Sequence, residues 1–139
     1  MQPDAAFFGE KDYQQYLVIK KMTESLKLNT RIICVKTVRD RNGLPLSSRN
    51  SYLSGQEFKI AIKINKLLKK LPPLIRTKLK INKILNHTKK VLIDHGVDKI
   101  DYLTVLNDDL SVRKKISDKS RIFIAAKIGN TRLIDNIKI

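Results

Sequence analysis

Apolar residues at Ile19, Met22 and Leu26 are spaced three and four apart and predict an amphipathic helix from about Asp12 to Lys27. Extended backwards, its core-facing stripe takes in Asp12 and Gln15, so the face opens with a carboxylate and an amide. Leu28-Asn29 ends the helix, with Asn29 suited to a C-terminal position. Arg31–Val38 (RIICVKTV) is nearly continuous in apolar and β-branched residues, the pattern of a strand buried on both faces of a parallel sheet. Cys34 then reads as a buried small hydrophobe. Helix followed by such a strand is the second half of a β-α-β unit. Too few residues precede Phe7-Phe8 for a full strand before Gly9.

Asp40-Arg41-Asn42-Gly43 carries an Asn-Gly turn signal. Ser54-Gly55-Gln56-Glu57 is a capping box. It opens a helix with Ile60/Ala61, Ile64, Leu67/Leu68 and Leu71 on one face, which Pro72-Pro73 is expected to stop. A second helix has Ile81, Ile84/Leu85, Thr88 and Val91/Leu92 inward, with Gly96 after its end. Strands follow at Ile100–Val105 and Arg121–Ile128, separated by a mostly polar connector from Leu106 to Ser120. Gly129-Asn130 turns the chain into a third strand, Thr131–Asn136. The pattern is α/β at the front, then α+β: helices over a small, mainly antiparallel sheet.

Composition narrows the function. The chain has 139 residues, 42% of them hydrophobic, enough for a core. No run of 18 apolar residues marks a membrane span, and the N-terminus lacks the basic and apolar regions of a secretory signal. A single cysteine excludes an internal disulfide and fits a reducing compartment, so a cytoplasmic location is expected. The net charge of +16 invites a nucleic-acid or anionic-membrane reading. The basic residues are spread along polar helix faces, as at Lys59, Lys63, Lys66, Lys69 and Lys70. Lys, Ile and Asn are abundant together, as the codon bias of an AT-rich genome would produce. Aromatics are 6% of the chain, too few for the interleaving that a basic nucleic-acid-binding module uses. That module remains the alternative reading; neither nucleic acid nor a membrane is the expected partner.

Two stretches carry candidate chemistry. Phe7-Phe8-Gly9-Glu10-Lys11-Asp12-Tyr13-Gln14-Gln15 places a glycine, charges and amides where a helix begins. Helix N-termini offer unpaired N–H groups, Gly9 permits close backbone approach and Lys11 adds a cation, as an anionic ligand such as a nucleotide requires. The same string also reads as an ordinary loop with Asp12 as N-cap. Leu46-Ser47-Ser48-Arg49-Asn50 supplies hydroxyls and a guanidinium, the donors phosphate oxygens need; it also reads as a solvated connector. His87 and His95 have no metal-ligating neighbour at useful spacing and fit surface or capping roles. No metal site is expected within the chain.

The strings QPD, FGEKDYQQ, GLPLSSRN-SYLS, DYL and TRLIDN occur in order, and together they closely resemble the pantothenate synthetase (pantoate–β-alanine ligase) family of the nucleotidyltransferase superfamily. The LSSRN segment looks like the one that takes the place of the KMSKS loop in related enzymes; Pro45 departs from the small residue usual there, fixing φ and removing an N–H. The resemblance implies the C-terminal part of a Rossmann-like domain (1–45) followed by a small α+β domain (46–139) carrying the SSRN loop. It implies ATP, with magnesium, condensing pantoate and β-alanine through a pantoyl adenylate. By motif, Gly9 and Asp12 would line the adenosine pocket, and Lys11 would lie near the phosphates. Gln15 would bind pantoate, and Ser47, Ser48 and Arg49 would hold the triphosphate. Lys11, Ser47, Ser48 and Arg49 would thus carry the catalytic stabilisation. The family's His-x-Gly-His motif, the first sheet strands and a second pantoate-binding glutamine have no counterpart here. The resemblance therefore implies a C-terminal fragment, a truncated product or one half of a split enzyme, inactive alone. Its partner would be a homodimer mate, as in the family, or a separate N-terminal half.

Overall fold

The structure is a computed structural model describing residues 3–77, 80–111 and 116–139. Gln2 of the QPD string and part of the 106–120 connector lie outside the described residues. Contacts divide the chain into two compact units, Met1–Val38 and Arg39–Ile139.

The first unit is a β-α-β unit. Strand β1 (Ala5–Gly9) pairs in parallel with β2 (Arg31–Val35), in register from Ala5↔Arg31 to Gly9↔Val35. A strand before Gly9 was not expected. Ala5-Ala6 has little intrinsic β preference, and the ladder to β2 supplies what propensity does not. The Arg31 amide donates to the Asp4 carbonyl at 2.9 Å, and the Thr30 hydroxyl to the Pro3 carbonyl at 2.8 Å, fixing the start of the pair. β2 is parallel as expected but stops at Val35. It is also not buried: Ile32 and Ile33 are half-covered, Cys34 and Val35 exposed. A parallel strand is buried on both faces only where helices cover both; among the described residues this sheet has two strands and one helix packed on it.

That helix, α1 (Tyr13–Ser25), buries Tyr13 and Thr23. The stripe of Gln15, Ile19, Met22 and Leu26 does not face the core as expected. Gln15 is exposed, Ile19 half-covered, and Val18, Met22 and Leu26 are 58%, 45% and 61% exposed. Asp12 belongs to a 3-10 turn (Glu10–Asp12) just ahead of α1 and is its N-cap, with no side-chain capping bond. The helix ends in a Schellman motif: the Leu28 amide donates to the Thr23 carbonyl (3.0 Å) and the Lys27 amide to that of Glu24 (3.2 Å). The left-handed position belongs to Lys27, at φ 51°, not to Asn29.

The second unit packs α2 (Gly55–Arg76) and α3 (Ile81–Asp94) on an antiparallel sheet of β3 (Lys99–Asn107), β4 (Ser120–Ile128) and β5 (Thr131–Lys138), in the order β3-β4-β5. The capping box forms: the Ser54 amide donates to Glu57 Oε2 at 2.7 Å, and the Glu57 amide to Ser54 Oγ at 3.3 Å. α3 closes on Gly96, at φ 97°, again with the Schellman pair of bonds. Ala61, Ile64, Leu68 and Leu71 of α2, Leu85 and Leu92 of α3, and Ile122, Ile124, Ala126 and Ile128 of β4 form the core. The period-2 alternation in β4 turns these four toward the helices.

Pro72-Pro73 does not stop α2, which runs one further turn to Arg76. Proline's φ is already helical; what it lacks is the N–H to the preceding turn. Fully buried Ile75, one turn beyond Leu71, makes continuing worthwhile. Ile75→Ala should therefore cost about 2–5 kcal/mol in the denaturant-unfolding midpoint of this unit. A loss below about 1 kcal/mol would mean that something other than burial carries the helix past its prolines.

On the surface, β3 shifts register between Ile100 and Tyr102, and the Asp101 carboxylate there accepts from Arg132 Nε at 2.7 Å, with Lys99 Nζ at 3.5 Å. The Arg132 hydrogen bond, with Lys99 adding to it, holds the Asp101 pKa below the usual carboxylate value. This stabilisation is present above the ordinary aspartate pKa and fades as pH falls through the lowered folded value. Arg132→Leu should move the Asp101 carboxyl titration upward by NMR; an unmoved titration would assign the depression to another group.

Candidate functional site

The first candidate group lies in the unit Met1–Val38, at the carboxyl ends of parallel strands, where open α/β sheets take their ligands. Gly9 ends β1 in an extended conformation (φ −70°, ψ 132°). A Cβ built there meets nothing within 4 Å, so the space beside this backbone is open. Lys11 and Asp12 follow in the 3-10 turn, half-covered and exposed respectively, and Gln15 is exposed on the first turn of α1. Glu10 Oε2 accepts from the Thr37 amide at 3.4 Å, tying the segment after β1 to the segment after β2. The fold thus brings Gly9, Lys11, Asp12 and Gln15 to one strand-to-helix junction.

The second candidate group lies in the unit Arg39–Ile139. Ser48–Tyr52 is a 3-10 turn with Ser47 as its N-cap. Ser47 Oγ accepts from the Arg49 amide (3.3 Å), the Ser47 carbonyl accepts from the Asn50 amide (3.0 Å), and Ser51 Oγ donates to the Ser48 carbonyl (2.7 Å). These bonds use backbone groups and leave the Ser47 hydroxyl proton available as a donor. Ser48 and Arg49 are exposed. Asn50 reaches back, its Nδ2 donating to the Pro45 carbonyl at 2.9 Å. Pro45 is buried and bridges Arg39.

Sequence reading missed the polar cluster beneath this loop. Asp135 of β5 accepts both arms of the Arg39 guanidinium, Nη1 at 2.8 Å and Nη2 at 2.9 Å. It also accepts from Asn65 Nδ2 at 3.1 Å and from the Asn136 amide at 2.8 Å. Asn65 is 1% exposed on the inner face of α2, and its Oδ1 has no partner among the described residues. Two signals were available: Asn65 sits four residues after Ala61 and three before Leu68, inside the apolar stripe, and Asp135-Asn136 puts two polar residues side by side in a strand.

Among the described residues no three His, Cys, Asp or Glu side chains cluster to hold a metal ion, and no helix is long and apolar enough to cross a membrane. His95 Nδ1 lies 2.6 Å from the Val91 carbonyl, at the end of α3.

A β-α-β unit with a glycine where its first strand meets the helix, together with a unit of helices over an antiparallel sheet, is the architecture of a Rossmann-like α/β protein with a small α+β domain. The comparisons make this specific. Residues 1–138 match the family described as pantoate-beta-alanine ligase. A pantothenate synthetase of Bradyrhizobium sp. strain BTAi1 is 41% identical over 139 residues, 99% of this chain and 49% of that protein. One from Buchnera aphidicola subsp. Acyrthosiphon pisum strain Tuc7 is 43% identical over 146 residues, 100% of this chain and 50% of that one. The crystal structure of pantothenate synthetase from Thermus thermophilus superposes with a TM-score of 0.89 at 33% identity, over 99% of this chain and 50% of that chain. A pantoate-beta-alanine ligase from Francisella tularensis, solved in complex with beta-gamma ATP and β-alanine, gives 0.72 at 33% identity, over 99% of this chain and 44% of that one. The chain belongs to the pantoate–β-alanine ligase family. It spans about half the length of the curated relatives it matches.

Two glycines separate fold from site. At Gly43, φ is +86° and a Cβ would stand 2.6 Å from Asn65 Oδ1 and 2.9 Å from Lys69 Nζ. Gly43→Ala should lower stability by about 1–3 kcal/mol, whereas Gly9→Ala should stay within about 0.5 kcal/mol of the parent. Thermal unfolding of both variants is the check; equal losses would contradict the open space assigned to Gly9.

Proposed function

We propose that this chain supplies the C-terminal portion of a pantoate–β-alanine ligase, the unit Met1–Val38 being part of its Rossmann-like nucleotide domain and the unit Arg39–Ile139 the domain bearing the SSRN loop. The observation that carries the reading is FGEKDYQQ at the carboxyl end of a parallel strand, with open space beside Gly9. The Francisella relative's complex with an ATP compound and β-alanine supports it.

In this reading the pantoate carboxylate attacks the α-phosphorus of ATP, pyrophosphate leaves, and a pantoyl adenylate forms. The β-alanine amine then attacks the acyl carbon, AMP departs and the amine loses its proton. Neither step needs a protein nucleophile. The protein supplies positioning and stabilises charge that develops on the phosphates. Gly9 admits the nucleotide close to the backbone, and Asp12 accepts from ribose hydroxyls. Gln15 hydrogen-bonds pantoate. Lys11 and Arg49 each offer positive charge to phosphate oxygens, and the Ser47 and Ser48 hydroxyls offer hydrogen bonds. Among the described residues no cluster of His, Cys, Asp or Glu side chains would hold a magnesium ion.

The His-x-Gly-His motif does not occur in the sequence, and the sheet of the first unit has two strands among the described residues. In this reading the other half of the family fold completes the site, whether it belongs to this polypeptide or to another. It would extend the β1–β2 sheet and cover the apolar stripe of Val18, Met22 and Leu26. AMP release dependent on both pantoate and β-alanine tests this. The purified chain alone should release none above background, and the N-terminal half of a relative added in trans should restore turnover. Met22→Asp should abolish that rescue while leaving the chain's own circular dichroism unchanged. Robust AMP release from the 139 residues alone would refute the requirement for that half.

A further inference from the structure

We infer that Asp135 is a positioning residue: through Arg39 and Asn65 it fixes the turn and loop at 40–53 and so sets where Ser47, Ser48 and Arg49 stand. The inference rests on the function proposed above for those three residues.

Asp135 is buried, and both carboxylate oxygens are engaged. Oδ2 takes Arg39 Nη1 and Asn65 Nδ2, while Oδ1 takes Arg39 Nη2 and the Asn136 amide. Only an ionised carboxylate can accept from all four donors. Arg39 carries the constraint onward, its Nη1 also donating to the Gly43 carbonyl at 3.1 Å. The turn it holds is closed from within: Asp40 Oδ1 accepts the Asn42 and Leu44 amides at 2.9 and 2.8 Å, and the Asp40 amide donates to the Leu44 carbonyl at 2.9 Å. The Arg39–Pro45 bridge and the Asn50 bond to the Pro45 carbonyl pass the constraint to the Ser47–Tyr52 turn.

Asn65 supplies a second line of argument. Its amide points Nδ2 at Asp135 and leaves the buried Oδ1 without a partner among the described residues. A buried acceptor left unpaired is costly, so the orientation is dictated by the carboxylate. Gly43, the residue whose Cβ would strike that Oδ1, lies on the same turn. β5, α2 and the turn therefore meet at one charge. Asp135→Asn would turn one acceptor into an amide donor facing guanidinium and amide donors, a conflict that side-chain rotation moves from one oxygen to the other without removing it.

The test is hydrogen exchange on the whole chain for Asp135→Asn and, in case that variant folds poorly, Arg39→Lys, which keeps the charge but loses the fork. Amides of 40–53 should exchange at least about tenfold faster than in the parent, with β4 amides 122–128 unchanged, and the Kd for ATP from calorimetry should rise at least about fivefold. Unchanged exchange in the loop, equal acceleration of 122–128, or a parent-like Kd beside a loosened loop would each overturn the inference. A parent chain that binds no ATP even with the N-terminal half of a relative added, with the loop loosening as expected in the variants, would instead count against the nucleotide reading of the loop.

Discussion

The Asp135 carboxylate draws three separate stretches of the unit Arg39–Ile139 to one point. A carboxylate withdrawn from water is costly unless charge and hydrogen bonds replace the solvent. Here four donors from three separate stretches do so: Arg39 before the turn, Asn65 in the middle of α2, and the Asn136 amide in β5. Arg39 and Asp135 stand 96 residues apart in sequence, so their pairing closes nearly the whole unit. The identities of Gly43 and Asn65 follow from it. Asn65 must present its amide nitrogen to the carboxylate, and the turn held by Arg39 must pass so near Asn65 that no side chain fits at position 43.

This polar node borders the apolar core. Leu44, next to Gly43, belongs to the same buried cluster as Ala61, Ile64 and Leu68. α2 therefore presents one face with two chemistries: aliphatic side chains that hold β4 by burial, and one amide that orients a charge. Burial is non-directional and tolerates small shifts, whereas the Arg39–Asp135 fork does not. The core decides that α2 lies on the sheet; the node decides at which register the loop carrying Ser47–Arg49 leaves it.

What was legible in the sequence were devices closed within a few residues. The Ser54–Glu57 box and Gly96 after α3 complete their hydrogen bonds locally, the Gly129-Asn130 hairpin pairs adjacent strands, and each stands where the pattern put it. What escaped depends on distant partners. Pro72-Pro73 reads as a stop until Ile75 is seen buried beyond it, and Ala5-Ala6 reads as too weak for a strand until β2 lies alongside. Lys27 took the left-handed position because the fold needed a turn there, not because lysine favours it. Of the candidate site, the two strings Gly9–Gln15 and Ser47–Arg49 were visible as residues. The ion pair beneath the second was not, since nothing local marks Arg39 as the partner of Asp135.

The front unit shows the same lesson in reverse. Ile19, Met22 and Leu26 were chosen by a helical period, as if for burial, yet Met22 and Leu26 stand exposed together with Val18, Phe7 and Val35. Under the function proposed above, the half of the family fold that this chain does not span would cover the stripe on α1. On that account the expectation of a core-facing helix and a doubly buried β2 erred about the cover, not about the pattern. Hydrophobic periodicity records the burial a segment was selected to experience, and that burial need not be supplied by the residues in view.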